Sequence, residues 1–205
     1  MNESGYKYEN NDDSKYLVDT GYGGGVLIDS GTCTMNTGYL SDNYAEIAGG
    51  GLALVMIRIS DSESDFGRLK VVNFQLNKGT ISGNESDGNG AGVYLMRNKI
   101  SEMISQLSQE AQTKLKAHAN YNTLTQGIPT ATIVNGSLMS NYARSSGAAI
   151  MMEEGNFYVN GTTSLQSNSS ESNGGGVYIG GGSFSVKDEA SLIADSNSST
   201  KGDGG

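Results

Sequence analysis

The sequence predicts an all-β fold, a parallel β-helix solenoid of about five coils with three short strands per coil. Three observations carry this. A Gly-rich triplet heads an alternating apolar segment at Gly23-Gly24-Gly25-Val26, Gly49-Gly50-Gly51-Leu52, Gly90-Ala91-Gly92-Val93, Gly147-Ala148-Ala149-Ile150 and Gly174-Gly175-Gly176-Val177. An Asn closes a short polar segment at Asn43, Asn84, Asn141, Asn168 and Asn197. From each Asn to the end of the next triplet is eight residues: 43→51, 84→92, 141→149, 168→176, 197→205. Fixed internal periods of this kind mark units that stack on one another and cannot bury their apolar side chains alone.

Taken in order, residues 1–22 form an irregular, Tyr-bearing N-terminal cap, because Leu17 stands where the eight-residue interval expects an Asn. The repeat occupies 23–205. Its first strand alternates with a step of two at Val26/Ile28, Leu52/Leu54, Val93/Leu95, Ile150/Met152 and Val177/Ile179, which places one side chain in two on the inner face. The second strand carries Cys33/Met35, Phe74/Leu76, Ala131/Ile133, Phe157/Val159 and Phe184/Val186. The third carries Leu40, Ile81, Leu138, Leu165 and Ile193. Equivalent residues of neighbouring coils should form inner columns about 4.8 Å apart. The Asn column is expected at a bend, since Asn tolerates left-handed backbone and bonds locally.

Two units are longer, and both insertions leave the turn between the first and second strands. They should therefore project from one edge of the solenoid. The shorter, about 56–70, pairs the β-prone arms Met56–Ile59 and Leu69–Val72 around Asp61, Glu63 and Asp65, and reads as a hairpin with a solvated acidic loop. That loop lacks the Gly and Glu of a calcium loop, having Phe66 and Val72 in those places. The longer, 97–127, places Ile100, Met103, Ile104, Leu107, Ala111 and Leu115 on one stripe of a helix from Asn98 to Ala119. The stripe either shields the solenoid or presents a recognition surface, and Asp61, Glu63, Asp65, Ile100, Met103 and Leu107 form the candidate binding edge.

Composition narrows the function. Thirteen basic against 22 acidic residues give a net charge of −9, which disfavours nucleic acid and anionic membranes as partners. One Cys and one His leave no metal cluster of thiolates or imidazoles. No cofactor is expected. The longest apolar run, near Leu52–Ile57, is too short to span a bilayer, and no apolar leader segment follows Met1. Catalysis on a β-helix would need converging carboxylates. The candidates lie three residues after each Asn: Glu46, Asp87, Arg144, Glu171 and Thr200. Glu46 and Asp87 would stand one coil apart, close enough for one to raise the other's pKa or for both to bind a cation. The preferred reading is a solvated ionic ladder of Asp87, Arg144 and Glu171, since exposed turn charges are usually only that.

Gly147-Ala148-Ala149-Ile150 resembles the G-G-A-I motif of the chlamydial polymorphic outer-membrane proteins. Phe74-Gln75-Leu76-Asn77 and Phe157-Tyr158-Val159-Asn160 are similar to the F-x-x-N motif found there. The wider pattern resembles bacterial adhesin-like, autotransporter-type and pectate-lyase-like β-helix repeats. The resemblance implies a right-handed winding and display at a cell surface or in a secreted parent protein, commonly for adhesion. The expected function is a non-catalytic module that displays or binds a ligand. Its partner would be a host or neighbouring-cell surface molecule or glycan, and its last coil would be covered by further coils or by self-association. A carbohydrate-active β-helix using Glu46 and Asp87 is the alternative.

Overall fold

A computed structural model describes residues 3–4, 21–55, 61–62, 66, 70–97 and 100–204. The N-terminal cap, apart from Glu3–Ser4 and Gly21–Tyr22, lies outside the described residues, as do the first arm of the 56–70 insertion, Met56–Ile59, Leu69 of the second arm, Glu63 and Asp65.

The chain is an all-β parallel solenoid. After β1 (Glu3–Ser4), the first repeat contributes β2 (Val26–Ile28), β3 (Thr32–Met35), β4 (Tyr39–Ser41) and β5 (Tyr44–Ala45). The second contributes β6 (Leu52–Val55), β7 (Asn73–Leu76), β8 (Gly79–Ser82) and β9 (Glu85–Ser86). The third has β10 (Val93–Met96), β11 (Thr130–Ile133), β12 (Gly136–Met139) and β13 (Tyr142–Ala143). Then follow β14 (Ile150–Met152), β15 (Asn156–Val159), β16 (Thr162–Gln166) and β17 (Ser169–Ser170), and β18 (Val177–Ile179), β19 (Ser183–Val186), β20 (Ser191–Asp195) and β21 (Ser198–Ser199). Each strand pairs in parallel with its equivalents, giving sheets β2-β6-β10-β14-β18, β3-β7-β11-β15-β19, β4-β8-β12-β16-β20 and β1-β5-β9-β13-β17-β21. The repeat therefore has four strands, not three. The fourth is the two-residue segment after the Asn, too short to show an alternation.

Inside, the register aligns Val26, Leu52, Val93, Ile150 and Val177 in one column. It aligns Cys33, Phe74, Ala131, Phe157 and Phe184 in a second. Phe157 and Phe184 stack with ring centroids 5.4 Å apart. The third column departs from expectation in the last repeat. Leu165 pairs with Ala194, so Ile193 aligns with the outward Ser164 and is 49 % exposed. The two extra residues around Glu189, which has a φ of 63°, are absorbed before β20, and the Asn end sets the register.

The Asn column is a continuous ladder of side-chain amides. Asn43 Nδ2 donates to Asn84 Oδ1 at 2.9 Å, Asn84 to Asn141 at 2.9 Å, Asn141 to Asn168 at 2.8 Å and Asn168 to Asn197 at 2.8 Å. The same oxygens accept the backbone N–H of the preceding Asn. The second Nδ2 proton goes to the carbonyl of Leu40, Ile81, Leu138 or Leu165. The left-handed backbone expected at the Asn sits one residue earlier, at Asp42, Gly83, Ser140, Ser167 and Ser196. That turn swings the Asn inward, where a buried amide needs such partners. The triplets close the coil against it: a Cβ at Gly25 or Gly51 would come within about 3 Å of Asn43 or Asn84 Nδ2.

Among the described residues three buried side-chain oxygens have no hydrogen-bond partner: Asp87 Oδ1, which has only its ion pair with Arg144, Ser164 Oγ and Thr163 Oγ1. Thr163 is fully buried, and its Oγ1 makes no hydrogen bond, in a column where β8 and β12 have Gly79 and Gly136. Thr163→Val replaces an unsatisfied hydroxyl with a methyl group and is expected to raise stability by about 1 kcal/mol. A urea midpoint that stays put or falls would contradict this.

Candidate functional site

The carboxylates three residues after each Asn stand just beyond the fourth sheet. In that sheet Ala45, Ser86, Ala143 and Ser170 are buried and Tyr44, Glu85, Tyr142 and Ser169 are half-buried. This short pleat turns Tyr44 and Tyr142 toward the charged positions. Tyr44 OH donates to Asp87 Oδ2 at 2.7 Å, and Tyr142 OH donates to Glu171 Oε1 at 2.6 Å. Arg144 Nη1 lies 3.1 Å from Asp87 Oδ1, and its Nη2 lies 3.8 Å from Glu85. Lys201 pairs with Glu171 Oε2. Asp87 is thus held by a phenol and a guanidinium, while Glu46 is exposed. From Asp87 onward the arrangement is an ionic ladder, in which Asp87 meets Arg144 and Tyr44 and Glu171 meets Lys201 and Tyr142. The tyrosines were not among the sequence candidates. The position immediately after each Asn, read as its own column, would have found them.

The electrostatics follow from these contacts. The hydrogen bond to Asp87, then burial, pushes the Tyr44 hydroxyl up to about 12, and the hydrogen bond to Glu171 raises Tyr142 in the same way. Lys201, then Tyr142, holds Glu171 below the usual carboxylate range. Tyr94 is raised chiefly by burial and secondly by Glu153. A raised tyrosine contributes stability that is complete below its unfolded value of about 10. That contribution is lost as pH climbs through about 12 for Tyr44. The depressed Glu171 contributes above the ordinary glutamate range and loses its contribution as pH falls through its lowered folded value. We expect Tyr44→Phe to flatten the alkaline decline without touching the acid limb. Urea midpoints across both limbs check this, and an unchanged alkaline slope would refute the Tyr44–Asp87 coupling.

The candidate binding edge is divided. Asp61 is exposed, and its Oδ1 accepts from Ser108 N at 3.0 Å. The side chain of Ile100 lies outside the described residues, as do Glu63 and Asp65. Met103 is half-buried against the core and Leu107 is only 4 % exposed. The stripe does not run through one helix. It breaks into α1 (Ile100–Gln106), α2 (Gln109–Ala117) and α3 (Tyr121–Gln126). Ser108 ends the first run because its Oγ accepts from Ala111 N at 3.2 Å, capping α2. Ile104, Leu107, Ala111 and Leu115 are buried in the same cluster as Leu54, Leu95, Phe66 and Val72. Asn120 Nδ2 donates to Phe66 O at 3.0 Å, and the Phe66 ring meets His118 edge-on at 6.1 Å. The two insertions therefore touch. Arg97 clamps the base of the longer one, donating to Thr125 O at 2.6 Å and pairing with Glu154 at 3.1 Å.

Among the described residues no group of three or more His, Cys, Asp or Glu side chains is placed to hold a metal ion. Cys33 is a free thiol packed against the core. Comparison with family models, with curated proteins and with solved structures finds no match to this chain.

Proposed function

We propose that the chain is a non-catalytic repeat module, displayed at a cell surface or secreted, that presents a rigid solenoid for adhesion or ligand binding. On this reading it winds right-handed through about five coils, carries both insertions on one edge, and meets a surface molecule or glycan of a host or neighbouring cell. The observation that supports it is how the best-placed carboxylates are used: Asp87 and Glu171 are bound by Tyr44, Arg144, Tyr142 and Lys201. A general acid and base need complementary environments around a shared reacting centre, whereas Asp87 and Glu171 are each occupied by a cation and a phenol. The last repeat fits the same reading. Ile179 and Val186, in the inner columns, are 48 % and 44 % exposed, a surface that a stacked coil would cover.

The test is incubation with acidic polysaccharides, with and without calcium, followed by analysis for new reducing or unsaturated ends. The expected result is no product. Turnover that Glu46→Gln or Asp87→Asn abolishes would replace this reading with a carbohydrate-active one.

A further inference from the structure

The turn between the second and third sheets holds a shallow, open groove of about 440 Å³. It crosses three successive repeats, at Thr37–Tyr39, Lys78–Thr80 and Asn135–Ser137. Its outer column is set by register, Tyr39 beside Thr80 and Thr80 beside Ser137, while the neighbouring Leu40, Ile81 and Leu138 point inward. Its floor is glycine: a Cβ at Gly79 would lie 2.5 Å from Gly38 O, so the backbones stack with no side chain between them. Tyr39 is 78 % exposed, the most exposed of the large hydrophobic side chains described.

The chain carries 22 acidic residues and a net charge of −9. Yet among the described residues the groove is lined by one cation, Lys78, and by no carboxylate. Beside it are hydroxyls and the Asn135 amide, whose Oδ1 is fixed by accepting Thr162 N–H at 3.1 Å. An exposed phenol ring offers a flat apolar face with a polar tip. A held amide offers a hydrogen bond at low ordering cost, and the hydroxyls of Thr80 and Ser137 stand beside it. Three repeats span about 10 Å, the reach of a short oligosaccharide. We infer that this groove binds a carboxylated glycan, with a sugar ring stacked on Tyr39, its hydroxyls on Thr80, Ser137 and Asn135, and its carboxylate on Lys78. This deepens the display reading above by naming the ligand class and the place.

The probes are trigalacturonate and sialyllactose, with maltotriose as the neutral control, added to the isotope-labelled full chain. At about 10 mM a ligand of even millimolar affinity occupies its site. The acidic sugars are expected to shift the amides of Gly38, Gly79 and Gly136. Tyr39→Ala should weaken them about five- to tenfold. Lys78→Gln should weaken the acidic sugars about threefold and leave maltotriose unchanged. Both side chains are exposed, so the fold should survive. No shift at these glycines with either acidic probe overturns the inference, as does binding indifferent to both substitutions. Product formation from trigalacturonate in the same samples would overturn the display reading without touching the groove, and absence of binding without product would do the reverse.

Discussion

Asn141→Leu is expected to cost about 3–5 kcal/mol, since each orphaned buried polar group costs about 1–3 kcal/mol. Asn141 is 1 % exposed and sits in the middle of the amide ladder. Leucine matches its size but can neither accept nor donate. Its arrival strands the backbone N–H and one Nδ2 proton of Asn84, which reach Asn141 Oδ1 at 3.2 and 2.9 Å. It also removes one bond to the carbonyl of Ile81, 3.1 Å from Asn141 Nδ2, which keeps its place in the strand ladder. The backbone bonds survive, Asn141 N–H to Asn168 Oδ1 and Ser169 N–H to the Asn141 carbonyl. Against a typical domain stability of about 5–15 kcal/mol the loss is severe. The matched control is Asn197→Leu, which removes the equivalent bonds to Asn168 and to the Leu165 carbonyl but at a half-buried position, where water can replace them. It should cost clearly less. Urea unfolding of both variants decides: equal losses, or a loss below about 1 kcal/mol at Asn141, would show that the ladder does not hold the coils together.

Leu115→Asp is expected to detach the helical insertion while leaving the stacked strands intact. Leu115 is fully buried, whereas most of the other side chains of α2 face water. The helix is therefore held by a narrow apolar contact, with Ala111 beside Leu115. A carboxylate cannot remain there unpaired, and removal of the leucine alone costs about 2–5 kcal/mol. Undocking relieves that cost by giving up only local contacts. Amide exchange should rise about 100-fold across α1 and α2, as expected for a local opening made about 3 kcal/mol easier. The amides of Asn84, Asn141 and Asn168 should keep their protection. A uniform rise across the molecule would mean that the insertion and the coils unfold as one unit.

The columns of the core were legible because the repeat is counted from fixed marks. The departures share a cause, which is that the mark was set aside or the segment was too short. Leu40, Ile81, Leu138 and Leu165 all stand three residues before their Asn, and the same count reaches Ala194. Ile193 is the apolar residue next to that position, but β20 takes its register from the Asn end, so Ile193 points outward. The fourth strand escaped because two residues carry no period. The break at Ser108 escaped because the apolar stripe continues through it, although a Ser followed by Gln109-Glu110 is a helix start. At the charged positions the sequence gives the charges and not their partners. Asp87 meets Arg144 only because the stack brings residues 57 positions apart within reach.

The amide ladder also has a direction. Every rung points its donor to the following rung, from Asn43 to Asn197, and none points back. Turning one amide over would set oxygen against a backbone carbonyl and nitrogen against N–H groups. The rungs are therefore ordered as protons are ordered in a filament of ice: all take one sense or the column fails. Aligned amides polarise one another, so their dipoles add along the axis. The solenoid is thus a vector, with the donor end of the column at Asn197 and the acceptor end at Asn43. A coil arriving at the Asn197 end is met by donors, which admit it in one orientation only.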